Sequence, residues 1–133
     1  MKVFVTGSTG LLGNNLVRQL LTAGHSVTGL TRSAEKFERM LGDTTATPVV
    51  GDMLDVPGFA SALADADAVI HCAAYFREYY GPGDHAAELE AVNVNGTLAL
   101  LGAADEAGVD AFVHISSSGT IGPKRVATSS AAS

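Results

Sequence analysis

The sequence predicts an α/β protein built on a doubly wound parallel sheet of about five strands in the order 3-2-1-4-5. Three observations carry that expectation. Short apolar runs alternate with segments of helical spacing along the 133 residues, the pattern of a parallel sheet covered by helices on both faces. Three glycines, Gly7, Gly10 and Gly13, stand between the first apolar run and the first helical segment. Strand–helix–strand connections are right-handed, and such crossovers give the doubly wound order.

The elements follow in order. Val3-Phe4-Val5 is a short buried strand ending at Gly7. Leu12, Leu16, Leu20 and Ala23 recur at helical spacing, predicting a helix from Leu11 to about Ala23 that Gly24 stops. Ser26 to Thr31 (SVTGLT) is the second strand, and Ser33 caps a helix through Leu41 with Gly42 beyond its end. Pro48-Val49-Val50 is a brief third strand, closed by the turn Gly51-Asp52; Phe59 to Ala64 is a short helix. Ala68 to Cys72 is the fourth strand, and Tyr75 to Asp84 (YFREYYGPGD) a loop. A long helix from about His85 to Ala107, ended by Gly108, leads to the fifth strand, Ala111 to Ile115. The stretch KRVATSSAAS has no period and few large apolar residues, so residues 1–122 are expected to form the domain and 123–133 a disordered tail.

Composition bounds the function. A chain of this length holds one domain with a core, and 47% hydrophobic with 17% charged residues suits a globular protein. A formal net charge of −6 disfavours nucleic acid or anionic membrane as the main partner. No apolar run approaches the ~20 residues that span a bilayer. The start MKVFVTG runs directly into a strand and leaves no room for a signal peptide, and the one cysteine, Cys72, forms no internal disulfide. A cytoplasmic location is the expectation.

The turn Thr6-Gly7-Ser8-Thr9-Gly10-Leu11-Leu12-Gly13 has the spacing G-x-x-G-x-x-G. A diphosphate needs close backbone approach, free N–H donors and a positive helix end, all of which a strand–glycine turn–helix unit supplies. Gly7 permits the sharp exit from the strand, Gly10 the approach of phosphate, and Gly13 close packing of helix on sheet. A mere tight turn is the plain alternative, disfavoured by the position of the triplet in a βαβ unit.

TGSTGLLG, GDMLD, VIHCAA, NVNGT and ISSSGTIG occur in that order. Together they resemble the extended short-chain dehydrogenase/reductase family, with its NAD-dependent epimerases and dehydratases and its dihydroflavonol-reductase-like branch. The resemblance spans residues 1 to about 122 and implies a Rossmann NAD(P)-binding domain and chemistry at a carbonyl or hydroxyl group. It implies cofactor contacts from Gly7, Thr9, Gly10, Leu11, Leu12 and Gly13 in the turn. Asp52 would meet the adenine amino group and Met53 the ring; the plain alternative is an Asx turn at Asp52 closing the third strand.

An acidic residue at the end of the second strand would favour NAD. Thr31 and Arg32 stand there instead, and a guanidinium pairs with a 2′-phosphate. Arg32 matches the NADP-binding arginine of the reductase-like branch, so NADP(H) is favoured over NAD(H); a solvated surface arginine is the alternative.

Ala73 and Ala74 are small enough for a cofactor ribose to lie against the backbone. Cys72 reads as core, and His71 and His114, inside apolar strands, as structural histidines; no metal-ligand spacing occurs. Asn93 matches the asparagine of NVxGT that organises the family's active site. Ser116, Ser117 and Ser118 end the fifth strand, where a doubly wound sheet presents functional groups. By resemblance Ser118 hydrogen-bonds the substrate oxygen, with Ser117 the runner-up and Ser116 on the cofactor.

The family's proton donor is a tyrosine with a lysine four residues later. Tyr75, Tyr79 and Tyr80 all precede the serines and none has such a lysine. The expectation is an incomplete domain, a fragment of a longer reductase or epimerase with an undetermined small-molecule substrate and little turnover alone. Two alternatives stand beside it: a non-catalytic NADP(H)-binding sensor, and a self-associating structural fragment. The latter would form a homodimer through the long helix 85–107, around Val92, Leu98 and Leu101.

Overall fold

Five strands run parallel: β1 (Lys2–Thr6), β2 (Ser26–Thr31), β3 (Thr47–Val50), β4 (Ala68–Ala73) and β5 (Ala111–Ser116). Their order is β3-β2-β1-β4-β5, the doubly wound order that the sequence predicts. The computed structural model describes residues 1–73, 86–116 and 125–127, with backbone alone for 73, 86–93, 116 and 125–127. Val3 pairs with Val27 on one side and Ala68 on the other, so β1 is central.

Alternation along the strands splits the core into two layers, since successive side chains point to opposite faces. Val3, Val5, Val27, Ala68 and Cys72 face α1 (Leu11–Thr22) and α2 (Ala34–Leu41), where Val17, Phe37 and Leu41 cover them. Phe4, Leu30, Val69 and Phe112 face the other way, against Leu100 and Ala104 of α3 (Ala86–Glu106) and against Val56, Phe59 and Leu63. Phe4 and Phe59 stack with ring centroids 5.9 Å apart. Each fully buried side chain of this kind stabilises the fold by about 1.5–3 kcal/mol.

Helix ends follow the local signals. Ser33 accepts a hydrogen bond from the Lys36 N–H at the start of α2, and Gly42 caps its end. Gly24 and Gly108 adopt positive φ after α1 and α3. There His25 N–H bonds Leu20 O and Val109 N–H bonds Ala104 O, closing each helix with a six-residue glycine loop.

Two elements differ from expectation. The segment after β3 is a pair of 3₁₀ turns, Met53–Gly58 and Ala60–Leu63, rather than one short helix from Phe59 to Ala64. Asp52 caps the first turn, which is kinked at a non-helical Asp55 (φ −138°, ψ 67°), and Phe59 (φ −124°, ψ 3°) separates it from the second. Arg125–Ala127, inside the stretch expected to be a disordered tail, forms β6, antiparallel to β5 with His114 opposite Val126. Three residues carry too little periodicity to announce a strand; the open edge of β5 supplies the partner groups.

Candidate functional site

The glycine turn packs against the carboxyl ends of its own strand β1 and of the neighbouring β2 and β4. β1 ends at Thr6, and Gly7 turns the chain with φ 64°. A side chain there would also collide: a Cβ on Gly7 would lie 2.8 Å from Cys72 O at the end of β4. Gly13 is still more confined, its Cβ falling 1.9 Å from Gly7 O. The strand exit and the first helical turn therefore interlock through backbone atoms alone. Gly10 differs: among the described residues a Cβ on it would meet only Gly7 O, at 3.4 Å. The packing of the described residues thus leaves space at Gly10, as a ligand approaching the backbone requires.

The start of α1 is prepared for an anion. Gly10 is its N-cap with no side-chain hydrogen bond, and its first turn holds no acidic residue. The first amides of a helix have no intrahelical partner and carry the positive end of the dipole. Leu11 and Leu12 are exposed beside them, Leu11 to 82%, an apolar rim next to the polar cradle. These donors and this space fit the diphosphate of a dinucleotide. Thr9 lies half-buried in the same turn.

Ser8 is a participant that sequence reasoning missed. It is fully buried and donates through Oγ to Leu30 O at 2.8 Å, tying the turn to β2. A Cβ on Gly29 would lie 2.7 Å from that oxygen. A glycine inside a strand is the signal that marks such a close approach.

At the β2–β3 edge, Thr31 pairs with Val50 in register, and Gly51 N–H bonds Thr31 O. This register brings the next side chains together: Arg32 Nε lies 3.3 Å from Asp52 Oδ2, both partly exposed. The other carboxylate oxygen, Oδ1, accepts the Leu54 N–H at 2.9 Å, which is the Asx-turn arrangement. Met53 is half-buried against the α3-side core, with its Cε 3.4 Å from where a Cβ on Gly96 would sit. The two residues singled out for opposite ends of the adenosine are thus ion-pair partners.

Beneath the turn lies a buried polar chain. Thr6 Oγ1 accepts the Cys72 N–H at 3.1 Å and shares a 2.6 Å hydrogen bond with His71 Nδ1. His71 Nε2 lies 3.1 Å from Thr97 Oγ1 on α3. Burial, together with repulsion from His114, pushes His71 down to about 4, so the ring is neutral at pH 7. A neutral imidazole has one donor and one acceptor nitrogen, so one hydroxyl donates to it and the other accepts. The chain ties β1, β4 and α3 together one helical turn beyond Asn93. His114, edge-on to His71 with centroids 5.1 Å apart, is also shifted down by burial. Thr6 and Thr97 stand inside the TGSTGLLG and NVNGT motifs, but nothing in those motifs marks them as the hydroxyls that satisfy His71.

Burial raises the Cys72 thiol to about 11, so it is protonated and packs as core. Among the described residues no cluster of three metal-ligating side chains occurs, and no helix is long and apolar enough to cross a membrane. Ala73 and Ser116 end β4 and β5 directly opposite each other. Asn93 lies in α3. Ala74, Ser117 and Ser118 lie outside the described residues, as does the loop 75–84.

Comparison with known proteins agrees with this architecture. The model of the NAD dependent epimerase/dehydratase family matches residues 3–132. Sterol-4-alpha-carboxylate 3-dehydrogenase, decarboxylating, of Dictyostelium discoideum is 34% identical over 122 residues, 90% of this chain and 36% of that protein. A short-chain dehydrogenase/reductase superfamily protein from Agrobacterium tumefaciens, solved with bound NAD, has a TM-score of 0.67 and 34% identity. The match covers 86% of this chain and 32% of that one. Yeast methylglyoxal/isovaleraldehyde reductase, complexed with NADPH, has a TM-score of 0.72 and 25% identity, over 86% of this chain and 36% of its own. The chain thus spans about a third of the length of each of these three proteins. It belongs to the NAD dependent epimerase/dehydratase family, within the extended short-chain dehydrogenase/reductases, as its five motifs imply.

Proposed function

We propose that this member of the family binds a nicotinamide dinucleotide, NADP(H) in preference to NAD(H), as the cofactor-binding portion of an oxidoreductase or epimerase. The substrate class is a small molecule bearing a carbonyl or hydroxyl group. The observation that carries the reading is the start of α1, with no side-chain cap and with space at Gly10 that the described residues do not fill. The names of the relatives support it, one structure holding NAD and another NADPH.

Gly7, Thr9, Gly10, Leu11, Leu12 and Gly13 would hold the diphosphate, and Arg32 a 2′-phosphate. Asp52 and Met53 would meet the adenine. Ala73, Ala74, Asn93 and Ser116 would line the nicotinamide ribose, and Ser118 or Ser117 would hydrogen-bond the substrate oxygen. When bound, the nicotinamide supplies hydride transfer. The His71 chain holds α3, and with it the backbone at Asn93, against the sheet. No tyrosine of this chain has a lysine four residues on, so the 133 residues alone should turn over little.

Calorimetric titration with NADPH and with NADH tests the proposal. The expected result is binding of both, tighter for NADPH, with the preference lost in Arg32→Ala. Binding of neither would overturn it. A second reading, self-association through α3, is favoured by the exposure of Val94 (50%) and Leu98 (61%), one helical turn apart. Leu101 instead packs partly against the core. Light scattering that finds a strict monomer across micromolar concentrations would remove this second reading.

A further inference from the structure

The Arg32–Asp52 ion pair sets up a competition inside the adenosine site. Asp52 is the fixed member: its Oδ1 accepts the Leu54 N–H, and it caps the first 3₁₀ turn. The turn in turn is anchored by buried Val56 and Phe59. Gly51, just before it, is closely packed on the same core, since a Cβ there would meet Phe59 Cδ2 at 2.9 Å. Arg32 is the adaptable member, a long side chain about half exposed at a strand end.

We infer that Asp52 is a specificity-determining residue, a built-in anion that competes with the cofactor's 2′-phosphate for Arg32 and so limits the preference for NADPH over NADH. The inference rests on the reading of Arg32 as the 2′-phosphate partner. A 2′-phosphate carries close to two negative charges near neutral pH. To reach Arg32 it must approach a carboxylate held 3.3 Å from the same guanidinium. NADH has a neutral 2′-hydroxyl there and meets no such conflict. Because β3 lies beside β2 in register, the acidic group reaches the end of β2 from the neighbouring strand, where the local sequence shows only Thr31 and Arg32.

The ratio of NADPH to NADH affinity isolates this effect, since adenine, ribose and diphosphate are common to both. Asp52→Asn and Asp52→Ser both keep an acceptor for the Leu54 N–H while removing the charge. Titration of the 133-residue chain should show the ratio rising by about two- to fivefold in each, the scale of a partly exposed ion pair. The increase should shrink at high salt, and a urea midpoint confirms that each variant is folded. If Arg32→Ala leaves the wild-type ratio unchanged, the assignment of Arg32 fails and the inference fails with it. If Arg32→Ala collapses the ratio while both Asp52 variants leave it unchanged or lower it, the inference alone is overturned.

Discussion

Helices α1 and α2 both leave the carboxyl end of a parallel strand, yet they begin in opposite ways. α2 is finished internally: Ser33 accepts the Lys36 N–H, and Glu35 sits in the first turn against the dipole. α1 has neither device. Its N-cap is Gly10, without a side chain to bond its amides, and its first turn carries no acid. Two helices of one sheet, in the same solvent, differ in that one start is satisfied by its own side chains and the other is not. α1 also has a glycine interlock at its start, where Gly7 and Gly13 bring backbone against backbone.

The largest test of that contrast concerns the support under α1. Thr6 feeds the glycine turn and is held by His71, whose ring is neutral and buried. An unfolded histidine binds its proton near its ordinary value of 6.5, whereas the folded ring resists it until about 4. The unfolded state therefore binds more protons between these values, so stability is full above pH 6.5 and falls as the pH drops towards 4. The loss is on the order of 3 kcal/mol, with His114 adding in the same direction. Chemical denaturation of wild type and His71→Asn at pH 7, 5.5 and 4.5 measures it, the carboxylates cancelling in the difference. A wild-type slope no steeper than the variant's would show that the strand end is not anchored by this ring.

Next in size is the conversion of one helix start into the other. Gly10 has φ −76° and ψ 171°, extended backbone that an aspartate N-cap adopts readily. Gly10→Asp should therefore fold, with stability equal to or a few tenths of a kcal/mol above wild type. Its carboxylate would occupy the donors and repel a diphosphate, lowering NADPH and NADH affinity alike by at least about tenfold. Unchanged affinity would mean that the start of α1 is not the diphosphate site.

The same contrast governs what could be read from the sequence. The strands, their order and the stops at Gly24, Gly42 and Gly108 were legible because apolar period and glycine position act locally. The Ser33 cap was legible for the same reason. The Arg32–Asp52 pair was not, since the partners are twenty positions apart and meet only through the β2–β3 register. Arg32 and Asp52 each read locally as a separate ligand contact, and only the register shows that they also pair with each other. The Thr6–His71–Thr97 chain was equally hidden: the burial of His71 was readable from its apolar strand, but not the two hydroxyls that satisfy it from β1 and α3. The 3₁₀ turns were not legible either: Pro57 and Asp55 lie in the first turn, ahead of the helix expected from Phe59 to Ala64, and nothing local in Phe59–Ala64 separates a 3₁₀ turn from a short α-helix.

The smallest prediction sharpens the comparison from the other side. If α2 is closed by its own cap and takes no part in holding the diphosphate, Ser33→Ala should cost about 1 kcal/mol of folding stability and leave dinucleotide affinity within twofold of wild type. The stability loss is expected because the Lys36 N–H would then rely on water alone, the Ser33 hydroxyl being its acceptor at 3.1 Å. The neighbouring turn has its own bonds, with Thr31 Oγ1 donating to Ser33 O and accepting Ser33 N–H. These involve the backbone of residue 33 and survive the substitution, so Arg32 stays at the strand end. Urea titration and calorimetry on the same preparation read the two quantities separately. A fall in NADPH affinity without one in NADH would place the Ser33 hydroxyl beside Arg32 on the 2′-phosphate, and α2 would then share in the site that the contrast assigns to α1 and the β2–β3 edge alone.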